Sequence, residues 1–389
     1  MMNLAERGMI EALGRRREAS LPALAEELAI PPSTAVNVLS RLVSKGLVGR
    51  REGESTGRGR PSYLYRIRLP KPMLALYFDG TQLTAGIVAD DLSVLAVHSV
   101  QVQGIASADA ASSLAKEALY SLIGQGVVRR EVLQQAAVAV NAMFVKGRPL
   151  SSSVLPWAAE DFRQLLDREL GLETRLVALP HALAEYQLLP EPVVDSMLCL
   201  NVGDGISGHS MIAGKIATGD SGRSGELGHF TLDPKGPLCG CGRRGCLEAM
   251  YGGPAIARRM RDQAMLAGPT WVKQVLDLSP RAMIQRLYQA WCEDDQWSRK
   301  LMNDALDGYG WGLGMAINLI DPALVVCSGY VLQGHSQWIE EVQRRCRPWV
   351  LHGDHRSMRV VAGRAGMLDH LRVIAWAFDT SEPVNGTSL

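Results

Sequence analysis

Apolar residues recur at helical spacing through the first part of the chain and then give way to two short alternating runs. Leu4 to Leu13 predicts a first helix. Ser20 is placed to cap a second, with Pro22 tolerated in its first turn and Leu21, Leu24 and Leu28 on one stripe. Pro31-Pro32-Ser33-Thr34 marks the start of a third. There Ala35, Val38, Leu39 and Leu42 would face a core, and Ser33, Thr34, Asn37, Arg41 and Ser44 would lie opposite. Gly46 can end this helix. Residues 47–51 and 62–68 read as strands, and Glu52 to Pro61 as a tip between them that carries Arg58 and Arg60. Helix, helix, helix, hairpin is the order of a winged helix-turn-helix, here over residues 1–68. Three helices and a hairpin also describe some protein-binding modules. Leu69-Pro70-Lys71-Pro72 predicts a short, stiff linker.

Beyond the linker the pattern changes. Met73 to Phe78 is a continuous apolar run, as a buried strand requires, and Leu83 to Val88 is another. The turn between them, Asp79-Gly80-Thr81, makes a strand–turn–strand unit of the kind that grips phosphate in actin-like ATPases, a weak signal by itself. No apolar run reaches the ~20 residues that a membrane span needs. Met1 to Arg7 has no signal-peptide core, so a cytoplasmic protein without membrane insertion is expected.

Composition sharpens this division. The 389 residues, 47 % hydrophobic and 21 % charged, suit an ordinary globular protein of two or three domains. The net charge of +1 is unevenly spread. Residues 1–68 hold eleven Arg and one Lys against seven Glu, leaving the remainder acidic. Basic termini are common, but a basic head on an acidic body also suits contact with a polyanion. With the polar third helix and an Arg-Gly-Arg-Pro tip, the expected partner is double-stranded operator DNA. Ser33, Thr34, Asn37 and Arg41 would face bases or phosphates in the major groove, and Arg58 and Arg60 the neighbouring minor groove.

Seven cysteines are an odd number, and three of them fall within eight residues, which favours metal ligation over a disulfide framework. Glu226-Leu227-Gly228-His229 precedes Cys239-Gly240-Cys241-Gly242-Arg243-Arg244-Gly245-Cys246-Leu247-Glu248. One His and Cys-x-Cys-x4-Cys make a four-ligand set for a structural Zn2+: His229, Cys239, Cys241 and Cys246. Clustered cysteines can also be small buried hydrophobes.

These residues resemble the signature of the ROK family (repressors, open reading frames and kinases): Glu-x-Gly-His, then Cys-x-Cys-Gly-x-x-Gly-Cys-Leu-Glu. Leu200 to Ile206 is similar to that family's second phosphate loop, and Ile317 to Pro322 with Val325-Val326 to its helix and strand near the nucleotide. The fused head resembles the NagC/Mlc-like repressor branch. The resemblance implies an α/β protein, a winged helix-turn-helix followed by a two-lobed actin-like, sugar-kinase-like body with a zinc loop. Residues 73–195 would form the N-terminal lobe, rejoined by a C-terminal helix over about 366–380, and residues 196–365 the C-terminal lobe. It further implies a homodimer or higher oligomer and a sugar held in the cleft by Glu226, His229 and Glu248, with Ser153 where the family has Asn.

The resemblance fails where phosphoryl transfer needs it. The family's kinases begin Asp-x-Gly-Gly-Thr; here Tyr77 replaces the metal-side Asp and Asp79 the first Gly. Gly203-Asp204-Gly205 puts a carboxylate where a hydroxyl should meet phosphate. Two unit charges ~4 Å apart repel by about 4 kcal/mol at an effective dielectric of 20. No carboxylate falls in the catalytic-base window around Pro180 and His181, and the late glycine turn reads Cys327-Ser328-Gly329-Tyr330. No catalytic residue is assigned. The expected function is a sequence-specific transcriptional regulator, a repressor of sugar uptake or metabolism genes, whose body senses a sugar, a sugar phosphate or a sugar-transport protein. The alternatives are an ATP-dependent sugar kinase of glucokinase or N-acetylhexosamine kinase type with an extra head, and a regulator whose sugar site is vestigial.

Overall fold

The computed structural model describes residues 4–16, 18–53, 63–78, 82–102, 107–140, 143–145, 148–151, 162–177, 184–185, 196–212, 215–220, 224–353 and 359–380. Arg58, Arg60, Asp79, Ser153 and His181, singled out above, lie outside them. The fold is mixed α/β, a winged helix-turn-helix head on a two-lobed body.

In the head, α1 (Leu4–Arg16) runs almost a turn past the expected end at Leu13. A short strand that the pattern does not announce, β1 (Glu18–Ser20), follows it and pairs with β3 (Tyr63–Ile67). β2 (Val48–Glu52) takes the other side of β3, giving the order β1-β3-β2. Ser20 ends β1 and caps α2 (Leu21–Glu27), its hydroxyl accepting from the Ala23 amide at 3.4 Å. In α3 (Pro32–Ser44) the stripe Ala35, Val38, Leu39 and Leu42 is buried against α1 and α2.

The segment Leu69–Pro72 is no free spacer. Leu69 is buried and its amide donates to the Asp90 carbonyl at 2.6 Å. Arg68 pairs with Asp90 and Arg66 with Asp91. The apolar cluster containing Met9, Leu13, Leu24 and Leu42 of the head continues through Ile67 and Leu69 into Met73, Ile374 and Phe378 of the body. Head and body therefore share one core.

Each lobe of the body carries a five-stranded sheet with the same plan. In the first, β4 (Met73–Phe78), β5 (Gln82–Val88) and β6 (Val94–Gln101) form an antiparallel meander, and β7 (Gln135–Val140) and β10 (Glu173–Val177) extend β4 in parallel. β8 (Met143–Val145) and β9 (Arg148–Ser151) pair separately. In the second, β11 (Ser196–Val202), β12 (Ile206–Ile212) and β13 (Lys215–Ile216) form the meander, and β14 (Leu324–Ser328) and β15 (Arg359–Ala362) the parallel side. Strand alternation divides the faces of β4. Leu74, Leu76 and Phe78 pack under α4 (Ala108–Gly124) and α5 (Phe162–Leu170), whereas Met73, Ala75 and Tyr77 join the core shared with the head.

The second sheet is covered by α6 (Leu247–Tyr251), α7 (Gly253–Ala267), α8 (Thr270–Lys273), α9 (Pro280–Cys292), α10 (Gln296–Ile320) and α11 (Ser336–Cys346), around Trp338 and Tyr309. The last helix, α12 (Met367–Thr380), leaves this lobe and packs on β4, β5 and β7 of the first. Among the described residues no helix is long and apolar enough to cross a membrane.

Leu371 of α12 is fully buried, and its Cδ1 lies 2.6 Å from where a Cβ on Gly86 would be, so helix and sheet are in close contact there. Leu371→Ala leaves a cavity at this junction and should cost ~2–5 kcal/mol. Denaturant unfolding of the full chain checks it; a loss well under 1 kcal/mol would mean that the junction collapses without penalty.

Candidate functional site

The Cys-rich loop is built by close backbone approaches. Gly245 has a φ of +65°, and a Cβ there would fall 1.5 Å from the Asp233 carbonyl oxygen. Gly242 turns at φ +87°, and the Cys239 amide donates to the Arg243 carbonyl at 2.7 Å. These turns bring Cys239, Cys241 and Cys246 to His229, which ends a one-turn helix over Leu227–His229. The four donor atoms lie within 4.8 Å of one another. Cys239 Sγ is 3.6 Å from His229 Nδ1, and Cys241 Sγ 3.7 Å from Cys246 Sγ. With Zn–S bonds of about 2.3 Å, a tetrahedral site has S–S edges of about 3.8 Å, so the spacing fits a metal ion of that kind. Burial is the main effect raising the Cys239 thiol, to about 12, and it raises Cys246 too. At Cys241 burial acts upward but is outweighed by hydrogen bonds from the Arg243 backbone and side chain, so that thiol titrates low.

The cluster adjoins the cleft through two carboxylates. With Nδ1 toward Cys239, His229 turns Nε2 to Glu226, 3.5 Å away. Burial raises the Glu226 carboxyl, partly offset by His229, with Glu248 adding to the rise. Glu248 accepts from the Ile206 amide at 2.9 Å through Oε2, while Oε1 stands 4.0 Å from Cys239 Sγ. Glu226, His229 and Glu248 are thus brought together, beside the turn that joins β11 to β12. Vicinal hydroxyls could be met there by two acceptors and a ring nitrogen.

That turn borders a cavity of about 260 Å³ between the lobes, lined by Tyr77, Asn201, Asp204, Arg281, Ser328, Tyr330 and His370 among others. Tyr330 dominates its inner wall. Its hydroxyl donates to Asp204 Oδ1 at 2.6 Å and lies 2.0 Å from where a Cβ on Gly253 would be. The ring lies beside Gly203, and the Arg281 guanidinium stands 5.1 Å above it. Tyr77 and His370 meet edge to face at 5.7 Å on the opposite lobe. The Gly203–Gly205 turn therefore faces an aromatic ring and carries an occupied, buried carboxylate.

In the head, α3 exposes Ser33, Asn37 and Arg41, while Thr34 is half-buried. Its exposed face also includes Val36, Ser40 and Lys45, which the polar-stripe argument passes over. Val36 is 45 % exposed, an apolar group on an otherwise polar face of the kind that meets a thymine methyl. It falls outside the buried stripe at helical spacing, which is the signal that identifies it. Arg50 and Arg51 add exposed cations on β2; Arg51 is paired with Glu18, and Arg50 stacks on Tyr63.

The fold and site define a class: a helix-turn-helix head joined to a two-lobed, sugar-kinase-like body that carries a His/Cys3 loop. The chain belongs to the ROK family, whose model matches residues 74–370, and an IclR helix-turn-helix domain matches residues 8–52. A solved ROK family transcriptional regulator, a homologue of the E. coli Mlc protein, superposes with a TM-score of 0.71 at 19 % identity, covering 96 % of this chain and 95 % of that one. A ROK family glucokinase from Streptomyces griseus, solved with glucose and AMPPNP, gives 0.65 at 22 % identity, covering 78 % and 98 %. At these identities the likeness concerns the fold. The N-acetylmannosamine kinase of Salmonella paratyphi B is 34 % identical over 203 residues, 50 % of this chain and 65 % of the kinase, so the match spans under two thirds of that relative.

Gly245→Ala puts a Cβ into the Asp233 carbonyl at a positive φ and should open the loop. The thermal midpoint of the wild-type chain should fall on adding a strong chelator, whereas the variant should start low and respond little. Equal responses would show that the turn does not hold the cluster together.

Proposed function

We propose that the chain is a sequence-specific DNA-binding repressor of sugar uptake or metabolism genes, acting in the cytoplasm as a homodimer, with a body that senses a sugar and no longer phosphorylates it. The observation that carries this reading is the Tyr330 hydroxyl on Asp204, at the turn where the kinases hold phosphate. A nucleotide arriving there would meet an aromatic ring and a carboxylate, and Tyr77 offers no carboxylate to Mg2+. The exposed polar face of α3 supports DNA reading by Ser33, Thr34, Asn37 and Arg41, with Arg58 and Arg60 of the wing proposed for the minor groove.

Zn2+ is the proposed metal, held by His229, Cys239, Cys241 and Cys246, because a thiolate-rich tetrahedral donor set suits it. Bound there it would supply structural cross-linking of the loop. His229, fixed through Nδ1, would then present Nε2 with Glu226 and Glu248 to sugar hydroxyls, with Ser153 proposed at the far side. A sugar phosphate or a sugar-transport protein are the other effectors this reading admits. The 34 % identity to N-acetylmannosamine kinases and the retained Glu226, His229 and Glu248 favour the second reading, a sugar kinase with an added head.

Two measurements decide between them. With Mg-ATP and N-acetylmannosamine, N-acetylglucosamine or glucose, no phosphorylation above background is expected; turnover in the ordinary enzyme range of ~1–1000 per second would establish the kinase. In calorimetry with the same sugars, binding should be seen, and Glu226→Gln should weaken it about tenfold, the loss of one hydrogen bond to a charged group. Absence of binding in the wild type would leave a protein effector in place of a sugar.

A further inference from the structure

One buried charge in the head has no part in the sites described so far. Glu6 lies in the first turn of α1 with its side chain only 3 % exposed. Its carboxylate faces two cations: Arg41 of α3, with Nε 3.3 Å from Oε1, and Lys45, the residue just past the end of α3, with Nζ 3.0 and 3.1 Å from Oε1 and Oε2. Arg41 and Lys45 are one helical turn apart, and like charges at that spacing repel. The carboxylate between them draws the two together. Neither is buried with it; their side chains are 52 % and 43 % exposed.

The placement matters because the two ends of α3 face different parts of a duplex. The N-terminal residues of a recognition helix approach base edges, here Ser33, Val36 and Asn37. Cations at its other end meet the phosphate backbone, which fixes register and orientation without reading sequence. Arg41 engages Glu6 through Nε, one of five guanidinium donors arranged as a planar fork. The ion pair draws the guanidinium toward Glu6, and the fork's remaining donors are the ones a phosphate would meet.

We propose that Glu6 is a positioning residue for DNA docking, a buried carboxylate of α1 that holds Arg41 and Lys45, at the C-terminal end of α3, as a paired phosphate clamp and thereby sets the register of the helix in the groove. The inference rests on the reading of the head as a DNA-binding domain. It differs from a mere α1–α3 staple in what it affects. A staple governs stability alone, whereas a positioning carboxylate governs the preference for one sequence over another. Removing its negative charge cannot by itself weaken general attraction to DNA, which would if anything increase.

The test uses the full chain, a duplex enriched from a random-sequence pool by the wild-type protein, and a shuffled duplex of the same composition, over a series of salt concentrations. For Glu6→Gln, affinity for the enriched duplex should fall about tenfold while that for the shuffled duplex holds or rises, and Glu6→Asp should restore most of the preference. Lys45→Gln, at a position 43 % exposed, should lower the log–log salt slope by about 0.9 on both duplexes. Equal losses on both duplexes for Glu6→Gln, a change in melting temperature alone, or an unaltered salt slope for Lys45→Gln would each overturn the proposal. Failure of the wild type to enrich any duplex would instead overturn the DNA-binding reading on which it rests.

Discussion

The apolar face of Met367–Thr380 is the constraint on which the arrangement of the chain depends. Leu371, Ile374, Ala375 and Phe378 are all buried, and they pack on the sheet of the lobe opposite to the one that holds the preceding strand, β15. The same cluster takes in the head through Met9, Leu13 and Ile67. Polar contacts hold the approach to this helix. Glu185 accepts from the amides of Arg364 and Ala365 at 2.7 and 3.0 Å, and Gln333 donates to the Ala365 carbonyl. Burial raises the Glu185 carboxyl despite those two amides. Met367 and His370 line the inter-lobe cavity, while Asp369, Arg372 and Val373 line a second cavity against Leu13 and Ile67 of the head. One helix thus borders both the cleft and the base of the helix-turn-helix domain.

The cleft and the Cys-rich loop are likewise joined by few groups. Glu248 links the turn at Ile206 to the neighbourhood of Cys239, so the loop's geometry is felt at the cleft wall. Gly228 makes a similar tie in backbone terms, since a Cβ there would fall 2.1 Å from the Ile206 carbonyl oxygen. A packed interior moves between discrete arrangements rather than deforming smoothly, so a ligand on Glu226 and His229 would act on this turn directly.

Much of this was legible in the sequence, where the physics is local. The stripe Ala35, Val38, Leu39 and Leu42 obeys helical spacing and is buried; Ser20 caps as a serine there should; Met73 to Phe78 is apolar throughout because it is covered on both faces. The Cys spacing and preceding His identified four donors that the fold gathers. Non-local pairings were hidden. β1 is three residues long and exists only because Tyr63–Ile67 offers an edge. The segment read as a short, stiff linker because Leu69 finds its partner in the carbonyl of Asp90, which no periodicity predicts. The pattern gives no sign that Glu6 is buried, since its partners Arg41 and Lys45 lie far along the chain. Tyr330 was visible as an altered glycine turn, but its bond to Asp204 depends on two loops meeting in space.

That bond also bears on the history open to such a chain. Tyr330 stands in the space that a Cβ on Gly253 would need, and its hydroxyl and the Asp204 carboxylate bond each other at the cavity wall. Changing Asp204 alone strips the hydroxyl of this acceptor, and changing Tyr330 alone strips the carboxylate of this donor; each step leaves a buried polar group worse matched than before. Their effects are therefore epistatic, and the two-step route passes through a less stable intermediate whichever residue goes first. A chain that holds the pair therefore keeps or loses the two residues together more readily than either one alone.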